Sequence, residues 1–190
     1  MDIVARARGL ILQPGEEWYR IAAETTDTRS LFTAYAMPMA AVPAAAGFIG
    51  GAMIARTMGL HPGMERIGTG TLLLYSIIAY LLGLAGVWLL GKIIQALAPR
   101  FEGSRDEVAA MKLAVYSPTA SWLAGIFAIL PPLSFLSLLG LYSLYIFYRG
   151  VPVVAGVPQD RALGFTLAVI LCALVVNILV AMLAGCVLWL

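Results

Sequence analysis

The chain has 190 residues, 62% of them hydrophobic and only 12% charged, with a mean hydropathy of +0.93 and a formal net charge of +2. Soluble domains carry about 25% charged residues, so this composition excludes an ordinary soluble enzyme or nucleic-acid-binding module and indicates one small multi-span membrane domain. The net charge is uninformative as a total, because membrane orientation is read from the basic residues of individual loops.

Residues 1–30 are too polar for the bilayer core. On a helical wheel Ile3, Val4, Ala7, Leu10 and Ile11 share one arc, flanked by Arg6 and Arg8. That pattern predicts a helix in the headgroup plane, its arginines reaching towards phosphates. Pro14 then opens a second helix with Glu16 and Glu17 in its first turn, and Trp18 and Ile21 share a face. Arg6, Arg8 and Trp18 are therefore the expected membrane-interface residues. The alternative is an amphipathic leader packed on the protein's own loops.

A span is predicted over about 31–55, uncharged and kinked by Pro38 and Pro43; Gly47 and Gly51 give it a small-residue packing face. A loop follows with Arg56, His61, Glu65 and Arg66, then a second span over 69–97. Arg100–Glu107 forms a short charged loop. Leu113–Tyr148 contains no charge and is interrupted by Pro131–Pro132. As one helix it would run about 54 Å; cut at the prolines it is a hairpin whose two arms each approach a hydrocarbon core of about 30 Å. These arms are the third and fourth spans, 108–130 and 132–149, with a partly re-entrant hairpin as the rival. The linker Arg149–Arg161 repeats Gly-Val-Pro at 150–152 (Gly150–Val151–Pro152) and 156–158. A fifth span covers 162–190, with Ala181 and Gly185 as a second small-residue face and Trp189 at the interface.

The predicted fold is thus all-α: a cytoplasmic amphipathic segment over 1–30 and a five-span helical bundle over 31–190. Ten Lys and Arg fall on one side of this topology and two, Arg56 and Arg66, on the other. The positive-inside rule puts the N-terminus in the cytoplasm and the C-terminus outside. Arginine outnumbers lysine ten to two amid much Ala and Gly, a bias that fits a GC-rich bacterial gene and hence a bacterial inner membrane.

All ten acidic residues lie outside the predicted spans, whereas proton-coupled pumps use intramembrane carboxylates or histidines as relays. One loop histidine cannot supply a metalloprotease ligand set. Cys172 and Cys186 are about 21 Å apart on one helix and cannot bridge. No metal, cofactor or catalytic residue is expected. Lys112 and Ser117 are the single pair that could form a hydrolytic dyad; the simpler reading has Lys112 reaching the interface and Ser117 bonding local backbone.

Uncharged polar groups inside the spans are more informative. Asn177 needs an interhelical partner in hydrocarbon. Tyr116 and Ser117 precede Pro118, which leaves a carbonyl without its usual amide, and Tyr142 and Tyr145 form a stripe on the fourth span. Together with Lys112 they are the residues that would line a cavity or ligand-binding site between spans three, four and five.

Several of these segments form a familiar set. Leu10–Ile11–Leu12, Pro14, Glu17–Trp18, Tyr116–Ser117–Pro118, the proline-broken hairpin and Tyr148–Arg149–Gly150–Val151–Pro152 with Gly156–Val157–Pro158 together resemble the bacterial branch of the Yip family of Ypt/Rab-interacting membrane proteins. The resemblance covers nearly the whole chain. It implies a multi-span membrane fold and a non-enzymatic role in organising membrane or partner proteins. The acidic–Leu–Tyr–Gly–Pro signature of the eukaryotic branch has no counterpart here, so Rab binding is not carried over. The second functional expectation is passage or binding of a lipid or small uncharged molecule in the cavity. The expected partners are membrane lipids, a second copy of the chain through its small-residue faces, and a membrane or cytoplasmic protein.

Overall fold

The computed structural model describes residues 2–58 and 68–186, and the side chains of 56–58 and 131 are left out of the account. The expectations attached to His61, Glu65, Arg66 and Trp189 lie outside the described residues. Every described element is helical. Two short helices open the chain, α1 (Ile3–Leu12) and α2 (Pro14–Ala23). Asp2 caps α1 by accepting from the Val4 and Ala5 amides, and Pro14 sits at the first position of α2, where its missing N–H costs nothing.

A long helix follows in three parts: α3 (Thr28–Leu31), a π turn (Phe32–Ala36) and α4 (Met37–Met58). Pro38 cannot donate to Ala34, and the turn before it widens so that the Met37 amide donates to Phe32. The predicted kink thus takes the form of a π turn. Next come α5 (Thr69–Leu97), a 3-10 turn (Ala98–Phe101) and α6 (Glu107–Tyr116), which Asp106 caps.

Ser117–Pro118 break the chain again, giving α7 (Thr119–Ala124) and a 3-10 turn (Gly125–Ile129). Leu130 is extended, and Pro131 opens an unusually long 3-10 helix (Pro131–Leu141) that leads into α8 (Tyr142–Val154). The chain reverses at the double proline. Ser121 joins the two arms: its amide and hydroxyl reach Ser143 Oγ at 2.9 and 3.0 Å, and its hydroxyl donates to the Gly140 carbonyl at 2.8 Å. Helix α9 (Gln159–Gly185) completes the fold.

Among the described residues four segments are long and apolar enough to cross a membrane: Thr28–Ala55, Thr69–Phe101, Pro132–Val154 and Gln159–Gly185. The predicted third span is not among them, because Pro118 and Gly125 divide 108–130 into pieces shorter than a spanning helix. The bundle turns apolar side chains outward, with Leu81 56%, Phe135 63% and Leu171 65% exposed. A surface of that kind is soluble only in lipid.

One end of the bundle gathers most of the polar chain. The Ser104 amide donates to the Ala155 carbonyl at 2.7 Å, Arg161 pairs with Glu102 at 3.0 Å, and the leader helices α1 and α2 pack there against α7 and α8. Helix α9 starts at this end and runs antiparallel to α5, so Gly185 lies at the opposite end from the leader.

The small-residue positions differ in how closely the rest of the chain approaches them. A Cβ on Gly47 would meet nothing within 4 Å, and one on Gly51 only ordinary contact with Leu72. Gly50 is the glycine of close approach, because a Cβ there would overlap the Ala128 carbonyl at the hairpin tip. Within the chain, Gly50 and not the GxxxG pair is thus the point of closest approach on α4. Ala181 is exposed and Gly185 has open space around it.

Candidate functional site

Two sites emerge: a polar and aromatic joint that fastens the leader to the bundle, and a cavity between the spanning helices.

The joint is built around Trp18, which is fully buried. Its Nε1–H donates to the Ile146 carbonyl at 2.8 Å, and its ring meets Tyr116 edge-on with centroids 6.4 Å apart. Tyr116 in turn packs edge-on against Tyr35 at 4.8 Å. The Tyr35 hydroxyl is 2.8 Å from Thr119 Oγ1, and that hydroxyl donates to the Tyr116 carbonyl. Such aromatic pairs contribute roughly 0.5–1.5 kcal/mol each beyond the area they bury. Gly150 makes the fit possible: a Cβ there would stand 2.5 Å from the Trp18 ring and 2.8 Å from Leu113.

Buried charge surrounds this aromatic core. Arg6, 7% exposed, donates to Glu17 at 2.5 Å and to Glu24, and its guanidinium lies over the Tyr116 ring at 5.5 Å. Burial works against the Arg6 charge, but the hydrogen bond and charge of Glu24, followed by Tyr116 and Glu17, outweigh it and raise its proton affinity. Lys112 Nζ donates to the carbonyls of Ile21 and Glu24, both at 2.7 Å. It thereby satisfies the C-terminal end of α2, where orphan carbonyls and the negative helix pole favour a cation.

The interface expectation for the leader is therefore revised. Arg6 and Trp18 point into the protein because each finds bonding partners there that lipid head groups would otherwise have to supply; Arg8 alone of the three is exposed. The leader is packed on the bundle, and its outward face carries Val4, Arg8, Leu12 and Tyr19.

The cavity has a volume of about 600 Å³ and is walled by α4, α5, the Leu113–Trp122 segment, α8 and α9. Ser117 and Asn177, both predicted for such a site, line it. The Ser117 hydroxyl is buried and makes no hydrogen bond, so it forms no dyad with Lys112. Asn177 Nδ2 donates to the Ala173 carbonyl one turn back on its own helix.

The other four candidates lie elsewhere. Lys112 and Tyr116 belong to the joint. The Tyr142 hydroxyl donates to the Ile11 carbonyl of the leader at 3.1 Å. Tyr145 is exposed and receives a hydrogen bond from Arg149 at 3.0 Å. No cluster of three or more His, Cys, Asp or Glu suited to a metal ion occurs among the described residues.

The Yip1 domain model matches residues 8–183, from the leader through α9. The chain belongs to the Yip1 domain family. Among curated proteins it is 26% identical over 162 residues to the inner membrane protein YohC of Escherichia coli strain K12, covering 83% of each chain. The protein of the same name from Escherichia coli O6:H1 strain CFT073 matches to the same extent. No solved structure matches. Within this family member, the segments that carried the resemblance are in contact: Trp18 of the leader, Tyr116 before Pro118 and Gly150 of the Arg-Gly-Val-Pro stretch meet at one point. Sequence reasoning missed Tyr35, Glu17 and Glu24 as their companions. The one available signal was on α2, where Glu17 is next to Trp18 at the edge of the apolar face.

Proposed function

We propose that this chain is a non-enzymatic integral membrane protein of a bacterial inner membrane that organises membrane or partner proteins through its leader. The docked leader is the observation that carries this reading. It is held by buried bonds from Trp18, Arg6 and Lys112 and presents a fixed outer face at one end of the bundle. The ionisable groups of the joint are engaged in structural bonds, which leaves them ill placed for proton transfer.

The proposed topology has five crossings with the leader in the cytoplasm. The position of the hairpin tip supports the odd count. Ala128 packs at Gly50, nineteen residues or about 28 Å of helix beyond Leu31, close to the hydrocarbon thickness of about 30 Å. The basic residues of the leader, of the Arg100–Glu107 loop and of the linker after α8 support a cytoplasmic leader end. The inner-membrane location of the relatives supports the compartment.

A photo-crosslinking amino acid placed at Arg8 or Tyr19 of the full chain in cells tests the reading. Discrete adducts to a defined protein or to a second copy, lost when Trp18→Ala loosens the leader, are expected. Adducts to lipid alone from both positions, unchanged by Trp18→Ala, would overturn the organising role.

A further inference from the structure

The joint and the cavity leave one fixed cation unused. Arg149 is the first charge after the uncharged stretch Leu113–Tyr148, so it marks where α8 leaves the hydrocarbon at the leader end of the bundle. Its side chain is exposed, yet it is held from two sides. On one side Nη1 donates to the Tyr145 hydroxyl at 3.0 Å, and the guanidinium carbon stands 5.8 Å from the centre of that ring. On the other side is the first turn of α2. A Cβ on Gly15 would come within 2.6 Å of Nη2, so a glycine is what lets the guanidinium lie against that turn.

Most neighbouring cations already have partners. Arg6 and Arg20 reach Glu17, Lys92 reaches Glu107, Arg161 reaches Glu102, and Lys112 bonds two carbonyls. Among the described residues Arg149 forms no ion pair, and neither does Glu16, the acid beside Gly15. Tyr145 takes one of the five guanidinium N–H donors. The rest of the fork faces outward, fixed and charged. Arg105 is also exposed and unpaired among the described residues, but it has no side-chain hydrogen bond or ring contact to hold it.

The surface leading to Arg149 faces lipid. Leu138, Leu141 and Tyr145 precede it at three- and four-residue spacing on the same arm, and all three are exposed. A stripe that passes from leucine through tyrosine to arginine follows one phospholipid from acyl chain to phosphate.

We propose that Arg149 is the binding site for the phosphodiester of an anionic membrane phospholipid, with Tyr145 and Gly15 positioning it. The guanidinium donates to two phosphate oxygens, the geometry for which its planar fork is suited. An acyl chain lies along Tyr145, Leu141 and Leu138. A side chain already fixed in place gives up less freedom on binding than a mobile one. Phosphatidylglycerol is favoured over phosphatidylcholine, which carries its own cation beside the phosphate. This site requires only that the bundle spans a membrane, and it does not depend on the organising role of the leader.

Native mass spectrometry of the full chain in detergent, titrated with phosphatidylglycerol or phosphatidylcholine, tests the site. The unmodified chain should bind phosphatidylglycerol more tightly. Arg149→Gln should weaken that binding about tenfold or more, the loss expected when charge-assisted bonds to phosphate go. Arg149→Lys should lose about threefold, because an ammonium lacks the fork. Tyr145→Phe should also lose about threefold, because the guanidinium is no longer held. Arg105→Gln removes the same charge from the same end of the bundle and should change binding less than about twofold.

Unchanged binding in Arg149→Gln, or an equal loss in Arg105→Gln, would overturn the site. Parental binding in Tyr145→Phe would overturn the positioning. Displacement of the lipid by inorganic phosphate at equal concentration would assign the site to a free anion and overturn the lipid. The substituted residues are exposed, so each variant should melt with the parent chain in lipid-free detergent. Should Arg149→Gln fail to fold, Arg149→Lys and Tyr145→Phe carry the test, and parental binding in both would overturn the site.

Discussion

The indole of Trp18 rests on Gly150, at a distance that leaves no room for a side chain on the glycine. The two residues are 132 positions apart, and the contact joins α2 to the C-terminal half of α8. It explains why a glycine follows Arg149, since any other residue would displace the leader from the bundle. Gly150→Ala should lower stability by about 1–3 kcal/mol, the usual cost of overpacking a tight contact. Thermal unfolding in detergent would read this, with a shift in Trp18 emission as the local signal. Trp18→Phe keeps the apolar body, loses the hydrogen bond to Ile146, and should cost only about 1 kcal/mol.

The buried pair Arg6–Glu17 gives the second expectation. Removing Arg6 alone, as in Arg6→Met, leaves Glu17 buried without its main partner and should cost roughly 3–5 kcal/mol. The double change Arg6→Met with Glu17→Met removes both charges and should restore most of that loss, because the desolvation penalty goes with them. A double-mutant cycle on melting temperature measures the coupling. Simple additivity of the two single effects would show that the pair contributes no specific interaction.

Lys112 holds two carbonyls at the end of α2. Lys112→Met keeps the apolar stem but strands both acceptors, at roughly 1–3 kcal/mol for each that water cannot reach. The leader should then detach before the bundle unfolds. Limited trypsin digestion would show earlier cleavage at Arg20 and Arg29, with the spanning helices still protected.

Asp27 caps the start of the long α3–α4 helix. The hydrogen bond from Ser30 is the largest influence on its carboxyl and, against slight desolvation, holds it below its ordinary value of 3.8. The folded-state pKa is depressed, so the contribution of this cap is present above the unfolded value and is lost as pH falls through the lower folded value. The carboxyl carbon of Asp27 should titrate below 3.8 in NMR spectra, and Ser30→Pro, which removes the donor, should bring it back up.

Topology is the last expectation. Reporters active only in the cytoplasm should work when fused within the loop at Ser104 and the linker at Gly156, and those active only outside should work after Leu190. A cytoplasmic signal from the C-terminal fusion would reduce the crossings to an even number and make the hairpin re-entrant.

How much of this was legible in the sequence depends on whether the physics is local. Hydropathy and proline act within a few residues, so the membrane class, the leader helices on either side of Pro14, the long apolar helices and the reversal at Pro131–Pro132 could all be read directly. The same local rules set a limit at 108–130, where Pro118 and Gly125 turn one expected helix into three pieces. What no local rule supplies is rotation about a helix axis. Helices α5 and α9 are apolar on every side, so nothing in their sequence says which residues face a neighbour, a cavity or lipid. Only packing decided that Gly50 and not Gly47 meets the hairpin, that Ser117 and Asn177 share a cavity while Tyr116, Tyr142 and Tyr145 do not, and that Trp18 turns inward. Each of these depends on the partner a side chain finds across more than twenty residues of chain, and the tertiary structure alone brings those partners together.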